Sequence, residues 1–179
     1  MEVKVAKFGG SSLADAGQFK KVADIVKSDD KRKFVVASAP GKREKHDIKV
    51  TDMLYECYDK AVNDEPFEEL LAKIKERYDG IISELGIDIE LDADFDKIKA
   101  SFTNMAGRDY AASRGEYLNS KILAAYLGYQ FLDAAKYIFF DEQGKYDWDK
   151  TRAKLRPKLE ESENAVVPGF YGSMPNGTI

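Results

Sequence analysis

Residues 3–12 run Val3-Lys4-Val5-Ala6-Lys7-Phe8-Gly9-Gly10-Ser11-Ser12, an apolar segment that meets a lysine and then a glycine pair. Adjacent glycines let the backbone turn with positive φ and approach a ligand closely. Where a helix follows, the amides after such a turn can point at an anion. Lys7 adds a compact positive charge to the same corner. Lysine, paired glycines and the Ser11 hydroxyl together have the parts of a phosphate cradle. The spacing G-x-x-x-x-G-K-[ST] of a P-loop occurs nowhere in the chain, and neither does G-x-G-x-x-G. The plain alternative is a surface turn that happens to carry a lysine.

The rest of the composition narrows the chemistry further. His46 is the single histidine and Cys57 the single cysteine. That removes a Ser-His-Asp triad, a histidine zinc site, a thiolate metal site and a disulfide framework. What remains is lysine, carboxylates, hydroxyls, backbone amides and added metal. Phosphoryl transfer suits that set, because its catalysis is mainly positioning and charge stabilisation. Cys57 reads as a small packed apolar residue and His46 as a loop-surface residue.

These residues need elements to position them. Val3, Val5 and Ala6 predict a short buried strand with Lys7 at its carboxyl end. Phe19, Val22, Ala23 and Val26 recur at helical spacing and predict a helix over 15–26. Phe34, Val35, Val36 and Ala37 form a continuous apolar run, as in a strand buried in a parallel sheet. A charged loop follows over 39–50, turning at Pro40-Gly41. Thr51 is placed to cap a helix through Ala61. Pro66 suits the first position of a long helix whose stripe includes Phe67, Leu70, Leu71, Ile74, Tyr78 and Ile81, stopping at Gly86. Further helices are predicted over 94–105 and from Ser113 to a stop at Gly128. Strands are predicted over 129–134 and 137–140, a helix over 149–160 and a strand over 164–170. The order is β-α-β, a helical block, then β-β-α-β, which makes an α/β protein with parallel strands.

With 179 residues the chain has room for one domain with a real core. A net charge of -4 and a pI of about 5.2 argue against nucleic-acid and membrane-surface partners. Its lysines and arginines interleave with acids, as on solvated helix faces. No apolar run reaches the roughly 18 residues of a membrane span. No signal-peptide pattern opens the chain.

Four segments carry a family resemblance. Lys7-Phe8-Gly9-Gly10-Ser11-Ser12-Leu13-Ala14-Asp15 resembles the opening signature of aspartokinases, in the amino acid kinase superfamily. Val35-Val36-Ala37-Ser38-Ala39 resembles their second strand and its serine. Ser113-Arg114-Gly115-Glu116-Tyr117-Leu118-Asn119-Ser120 resembles the segment with a substrate-binding glutamate. Val166-Val167-Pro168-Gly169-Phe170-Tyr171-Gly172 resembles the glycine-phenylalanine loop at the acceptor site. The segments agree in order and spacing and span essentially the whole chain. Ser11 stands where threonine is more usual, and Arg114 where many members have histidine.

The resemblance implies a three-layer αβα sandwich with a mainly parallel sheet, similar to carbamate kinase, and a helical insertion at about 51–110. It implies that residues 1–179 are the N-terminal part of one catalytic domain. A Gly-rich segment with further acceptor and catalytic residues, the nucleotide-binding half and the ACT regulatory domains would lie beyond them. The implied activity is transfer of phosphate from ATP, with magnesium, to the side-chain carboxylate of L-aspartate, giving 4-phospho-L-aspartate. That step opens lysine, threonine and methionine biosynthesis. Implied besides are feedback by amino acids through the absent domains, a homo-oligomer and a cytoplasmic setting. The chain alone is expected to be inactive.

By the same resemblance Lys7 is catalytic and Lys7, Phe8, Gly9, Gly10 and Ser11 contact the nucleotide phosphates. Ser38, Thr51, Glu116 and Phe170 contact the substrate, and no residue binds metal directly. Each has a plainer alternative. Lys7 could be a solvated strand-end lysine, Ser38 a strand-end serine and Thr51 a helix cap. Ser113-x-x-Glu116 could be a capping box, and Phe170 plain core. Two other functions stay open: a kinase of the same superfamily acting on glutamate or N-acetylglutamate, and a non-catalytic α/β binding fragment.

Overall fold

The computed structural model describes residues 2–179. Four parallel strands, β1 (Lys4–Phe8), β2 (Arg32–Ala37), β3 (Gln130–Phe131) and β4 (Ala165–Pro168), lie in the order β1-β2-β4-β3. A short 3-10 turn over Gly10–Leu13 leads from β1 into α1 (Ala16–Lys27). Asp15 starts α1 by accepting a hydrogen bond from the Gln18 amide at 2.9 Å. The helix buries Phe19, Val22, Ala23 and Val26. In β2, Val35 and Ala37 are fully buried.

The strand β1 departs from expectation. It is not buried: Val5 is 65% exposed, and Val3 is exposed as well. Among the described residues β1 pairs only with β2, so it is an edge. Phe8 packs against the core, and strand alternation sends Val5 and Lys7 to the opposite face.

The helical block consists of α2 (Val50–Val62), α3 (Glu68–Leu85) and α4 (Asp92–Thr103), packed on α5 (Arg108–Leu127). Its core includes Leu54, Tyr78, Ile98 and Phe102, all essentially inaccessible. Burial pushes the Cys57 thiol up to about 12, which makes it an inert core residue. Helices α3 and α5 end at Gly86 and Gly128, both left-handed with φ 65° and 74°.

Helix α5 occupies the middle of the molecule, between the block and the sheet. It is therefore buried on several sides, and its interior includes Ser113, Arg114, Glu116, Asn119 and Ser120. Among the described residues no helix is long and apolar enough to cross a membrane.

Several boundaries differ from the sequence reading. Helix α2 begins at Val50, so Thr51 lies in its first turn and is not the cap. Pro66 precedes Phe67, the N-cap of α3. Helix α5 starts at Arg108, where Gly107 breaks the chain at φ 107°. The segment 137–140 is not a strand. Asp133 caps a 3-10 turn over Ala134–Lys136. The Phe139 amide then goes to the Thr151 hydroxyl, leaving Phe139 and Phe140 with one isolated bridge each. The last helix, α6 (Trp148–Glu161), begins from an Asp147 cap and contains Pro157.

Candidate functional site

Open parallel sheets bind ligands beyond the carboxyl ends of their strands. Here three such ends lie side by side. The Ser38 amide donates to the Phe8 carbonyl at 3.2 Å, and the Gly169 amide donates to the Ala37 carbonyl at 2.9 Å. The lysine-glycine corner, Ser38 and the Gly169-Phe170 loop are thus brought to one edge by sheet register alone.

The glycine pair works differently from the sequence expectation. Gly9 is extended, at φ -79° and ψ 171°, and neither Gly9 nor Gly10 has positive φ. Gly10 is needed for close approach instead. A Cβ there would sit 2.9 Å from the Ala39 carbonyl oxygen and 3.0 Å from the Gly41 nitrogen. A Cβ on Gly41 would sit 2.6 Å from the Gly10 carbonyl carbon and 2.7 Å from the Ser11 nitrogen. The two loops cross back to back, and the Gly41 amide donates to the Gly10 carbonyl at 2.8 Å. The Gly10 and Ser11 amides find no backbone acceptor among the described residues. Lys7 is exposed beside them and enters no salt bridge among those residues.

This crossing is held by a residue the sequence reading overlooked. Arg77 on α3 is only 6% exposed in its side chain. It donates to the Gly41 carbonyl, to the Ile48 carbonyl at 2.9 Å and to the Ala14 carbonyl at 3.4 Å. Its Nη2 lies 3.4 Å from Asp47 Oδ2. Asp47 also receives Arg43 Nε at 2.8 Å and Arg43 Nη2 at 2.8 Å, so it organises the charged loop. Those bonds with Arg43 and the Arg77 charge hold its carboxyl well below the usual carboxylate range. A signal was present in the sequence. Arg77 interrupts the apolar series Leu70, Ile74, Ile81 at a position where helical spacing points inward.

Beneath the loop, α5 presents Gly115 and Glu116. A Cβ on Gly115 would be 2.7 Å from Ala39 Cβ, 3.4 Å from Leu54 Cδ1 and 3.8 Å from Thr51 Oγ1. Thr51, freed from capping, therefore lies against the same helical turn. Glu116 is buried, and burial raises its pKa above the ordinary value. The Ala39 amide, its own amide and the Arg114 charge offset part of that shift. Its Oε2 is buried without a hydrogen-bond partner.

The capping-box alternative fails, because Ser113 and Glu116 both lie inside α5. The Ser113 hydroxyl donates back to the Tyr110 carbonyl at 2.6 Å. Asn119 ties α5 to β2 through a 2.7 Å bond from Nδ2 to the Ser38 carbonyl. The Ser38 hydroxyl makes no hydrogen bond among the described residues.

Phe170 is not core: it is 66% exposed. Its φ is 78°, and the Tyr171 amide donates to the Gly169 carbonyl at 3.0 Å. Those two facts make a tight three-residue turn of the rare, strained hand. A bulky residue in such a turn persists only where its surroundings impose it.

The arrangement offers two opposite environments. A basic, amide-lined corner suits an anion. A buried carboxylate with an unpaired oxygen suits a cationic donor. The Ser38 and Thr51 hydroxyls, which donate to no group among the described residues, belong to the same edge, whereas the exposed Phe170 ring borders a cleft with Asp109, Phe140, Met174 and Ile179.

A sequence profile described as the amino acid kinase family matches residues 2–179. Aspartokinase 3 of Bacillus subtilis is 34% identical over 195 aligned residues, which cover 99% of this chain and 42% of that protein. The chloroplastic aspartokinase 1 of Arabidopsis thaliana is 31% identical over 147 residues, 76% of this chain and 25% of that one. The crystal structure of Clostridium acetobutylicum aspartate kinase superposes with a TM-score of 0.96 at 49% identity, covering 99% of this chain and 41% of that structure. E. coli aspartokinase III in complex with aspartate and ADP shares the fold, with a TM-score of 0.76 at 24% identity. The chain spans less than half the length of each of these relatives.

Two outcomes are expected from the geometry. Asp47→Asn leaves Arg77 without its carboxylate and should cost about 2–3 kcal/mol, measured by urea denaturation at neutral pH. Because the folded pKa of Asp47 is depressed, its contribution is present above the usual carboxylate range and fades as pH falls through the folded value. The penalty should therefore shrink in acid. Phe170→Gly removes the backbone strain of a positive φ and should raise stability by about 1 kcal/mol, net of glycine's extra chain entropy.

Proposed function

We propose, from the premise that this chain belongs to the amino acid kinase family, that it forms the acceptor-binding part of an aspartokinase. The reaction is transfer of the γ-phosphoryl group of ATP to the side-chain carboxylate of L-aspartate. The observation that carries the reading is Glu116, a buried carboxylate with an unpaired Oε2, on the helix that also ties to Ser38. The matched relatives support it, since those named above are aspartokinases or aspartate kinases.

The chemistry follows from the residues. Aspartate's side chain is already ionised near neutral pH and attacks without a general base, which suits an edge with no histidine. Glu116 receives the α-ammonium of the substrate, and the charge pairing compensates the cost of its burial. Ser38 and Thr51 donate hydroxyl hydrogen bonds. Lys7 neutralises charge that builds on the transferring phosphoryl oxygens, with the Gly10 and Ser11 amides and hydroxyl beside it. Phe8 and Gly9 shape the approach to the phosphates. Phe170 covers the acceptor and excludes water.

Magnesium would accompany ATP. The described residues include no group of three or more acidic, histidine or cysteine side chains arranged to hold it.

Glutamate is the nearest rival substrate. An acetylated amino acid fits less well, since it lacks the ammonium that Glu116 requires. The nucleotide base and ribose are assigned to the remainder of the parent protein. Feedback by amino acids is assigned there too. A cytoplasmic homo-oligomer serving lysine, threonine and methionine synthesis completes the reading.

In the full-length parent, Glu116→Gln should raise the aspartate KM by about tenfold or more while the thermal midpoint stays within a few degrees. Because burial raises the Glu116 pKa, pairing with an ammonium should lower it again. Aspartate binding should then release protons at mildly acidic pH and weaken as pH falls further. Calorimetry in two buffers of different ionisation enthalpy reads that release, and the Gln variant should abolish it. An unchanged aspartate KM would refute the ammonium role. Lys7→Met should cut kcat by about a hundredfold with a smaller change in aspartate KM. A near-normal kcat would remove Lys7 from the transfer step.

A further inference from the structure

We propose that Arg114 is a positioning residue: held among three tyrosine rings, it fixes Tyr171 and so keeps Phe170 in its strained turn at the acceptor. The inference rests on the acceptor role given to Phe170 above. Arg114 is 8% exposed and forms no salt bridge among the described residues. Its Nε and Nη2 reach only the Ser113 hydroxyl, at 3.1 and 2.9 Å. A buried guanidinium with no carboxylate in ion-pair contact is costly, even though its charge is felt by Glu116 two residues on. Here its compensation is aromatic: Cζ lies 4.5 Å from the Tyr110 ring centre, 4.6 Å from Tyr117 and 5.3 Å from Tyr171.

The rings come from two places. Tyr110 and Tyr117 belong to α5, whereas Tyr171 belongs to the loop after β4. Arg114 therefore bridges the helix that carries Glu116 and the loop that carries Phe170. The far end of Tyr171 is pinned as well, since its hydroxyl donates to Asp133 Oδ1 at 2.8 Å. Upstream, Gly169 is fixed to β2 through the Ala37 carbonyl. Phe170 is strained and mostly exposed, so its own contacts do little to impose its turn. The constraint comes from its neighbours: Arg114 and Asp133 hold Tyr171 directly, and further on the Ser173 amide and hydroxyl donate to the Ile138 and Ala135 carbonyls at 2.9 and 2.7 Å.

The test uses the full-length protein with Arg114→Met, Arg114→Lys and Tyr171→Phe. Hydrogen–deuterium exchange in a peptide covering 168–174 should accelerate about tenfold in Arg114→Met and Tyr171→Phe, with β2 and α2 peptides unchanged. Arg114→Lys keeps the charge but not the planar stacking, and should fall between wild type and Met. The aspartate KM should rise about fivefold while the ATP KM stays within about twofold. In a Phe170→Ala background, Arg114→Met should add nothing to the aspartate KM, because both changes remove the same positioned ring.

Unchanged exchange in both Arg114→Met and Tyr171→Phe, or multiplicative KM effects in the double variant, would overturn the proposal. A wild-type protein that consumes no ATP in the presence of aspartate would defeat the acceptor reading. The exchange measurement would still decide whether Arg114 holds the turn.

Discussion

Everything at the site depends on how closely the segment Ala39-Pro40-Gly41 is packed. On one side Gly41 touches the Gly10 corner with no room for a methyl group. On the other, Ala39 Cβ meets Gly115 of α5 at a distance that also excludes one. The segment is thus wedged between the anion corner and the helix that carries Glu116. Three glycines make the wedge possible, and any side chain at Gly10, Gly41 or Gly115 would push one partner away. This is close packing used to set a distance between two chemical groups.

The wedge explains why a helical block belongs to this protein. Neighbouring residues of α3 hold it from both sides. Arg77 donates to the Gly41 carbonyl, and the Tyr78 hydroxyl donates to the Gly115 carbonyl at 2.9 Å. Helix α4 contributes from another direction, since Asp94 accepts from Tyr117 and pairs with Lys121 on α5. The block supplies none of the groups assigned to phosphate, and Thr51 alone among those assigned to the acceptor. Its work is to hold α5 and the loop after β2 at a fixed separation.

Buried polarity follows a consistent pattern. Helix α5 faces the block and the sheet together, so its polar side chains must find partners in the interior. Arg114 finds rings and Asn119 finds the Ser38 carbonyl. Glu116 keeps one oxygen unpaired. Asn119 Oδ1, Ser120 Oγ and Arg77 Nε are also buried without a hydrogen-bond partner, but Glu116 is the one carboxylate among these atoms, and so the one suited to an outside cation. Phe170 also departs from the ordinary, since it pairs a φ of 78° with an exposed side chain, as Met105 does with a φ of 55°.

The sequence alone determined the alternation of strands and helices, because apolar periodicity and glycine stops are local properties. Helix α1, the apolar run of β2 and the stops at Gly86 and Gly128 were all legible for that reason. The strand ends that carry Lys7, Ser38 and Gly169 were legible on the same ground, as the close of an apolar run. What it left open was decided by packing. A strand reads as buried from its residues, yet β1 is an edge because neighbours, not residues, determine exposure. Ser113-x-x-Glu116 has the spacing of a cap, but Gly107 starts the helix earlier and sends Glu116 into the interior. The glycine pair suggested a turn of unusual φ, whereas the fold uses Gly10 for contact with Gly41, a residue distant in sequence. Arg77, Asp47 and the tyrosines around Arg114 act through partners on other elements. Only the tertiary structure could bring those partners within hydrogen-bonding and stacking range.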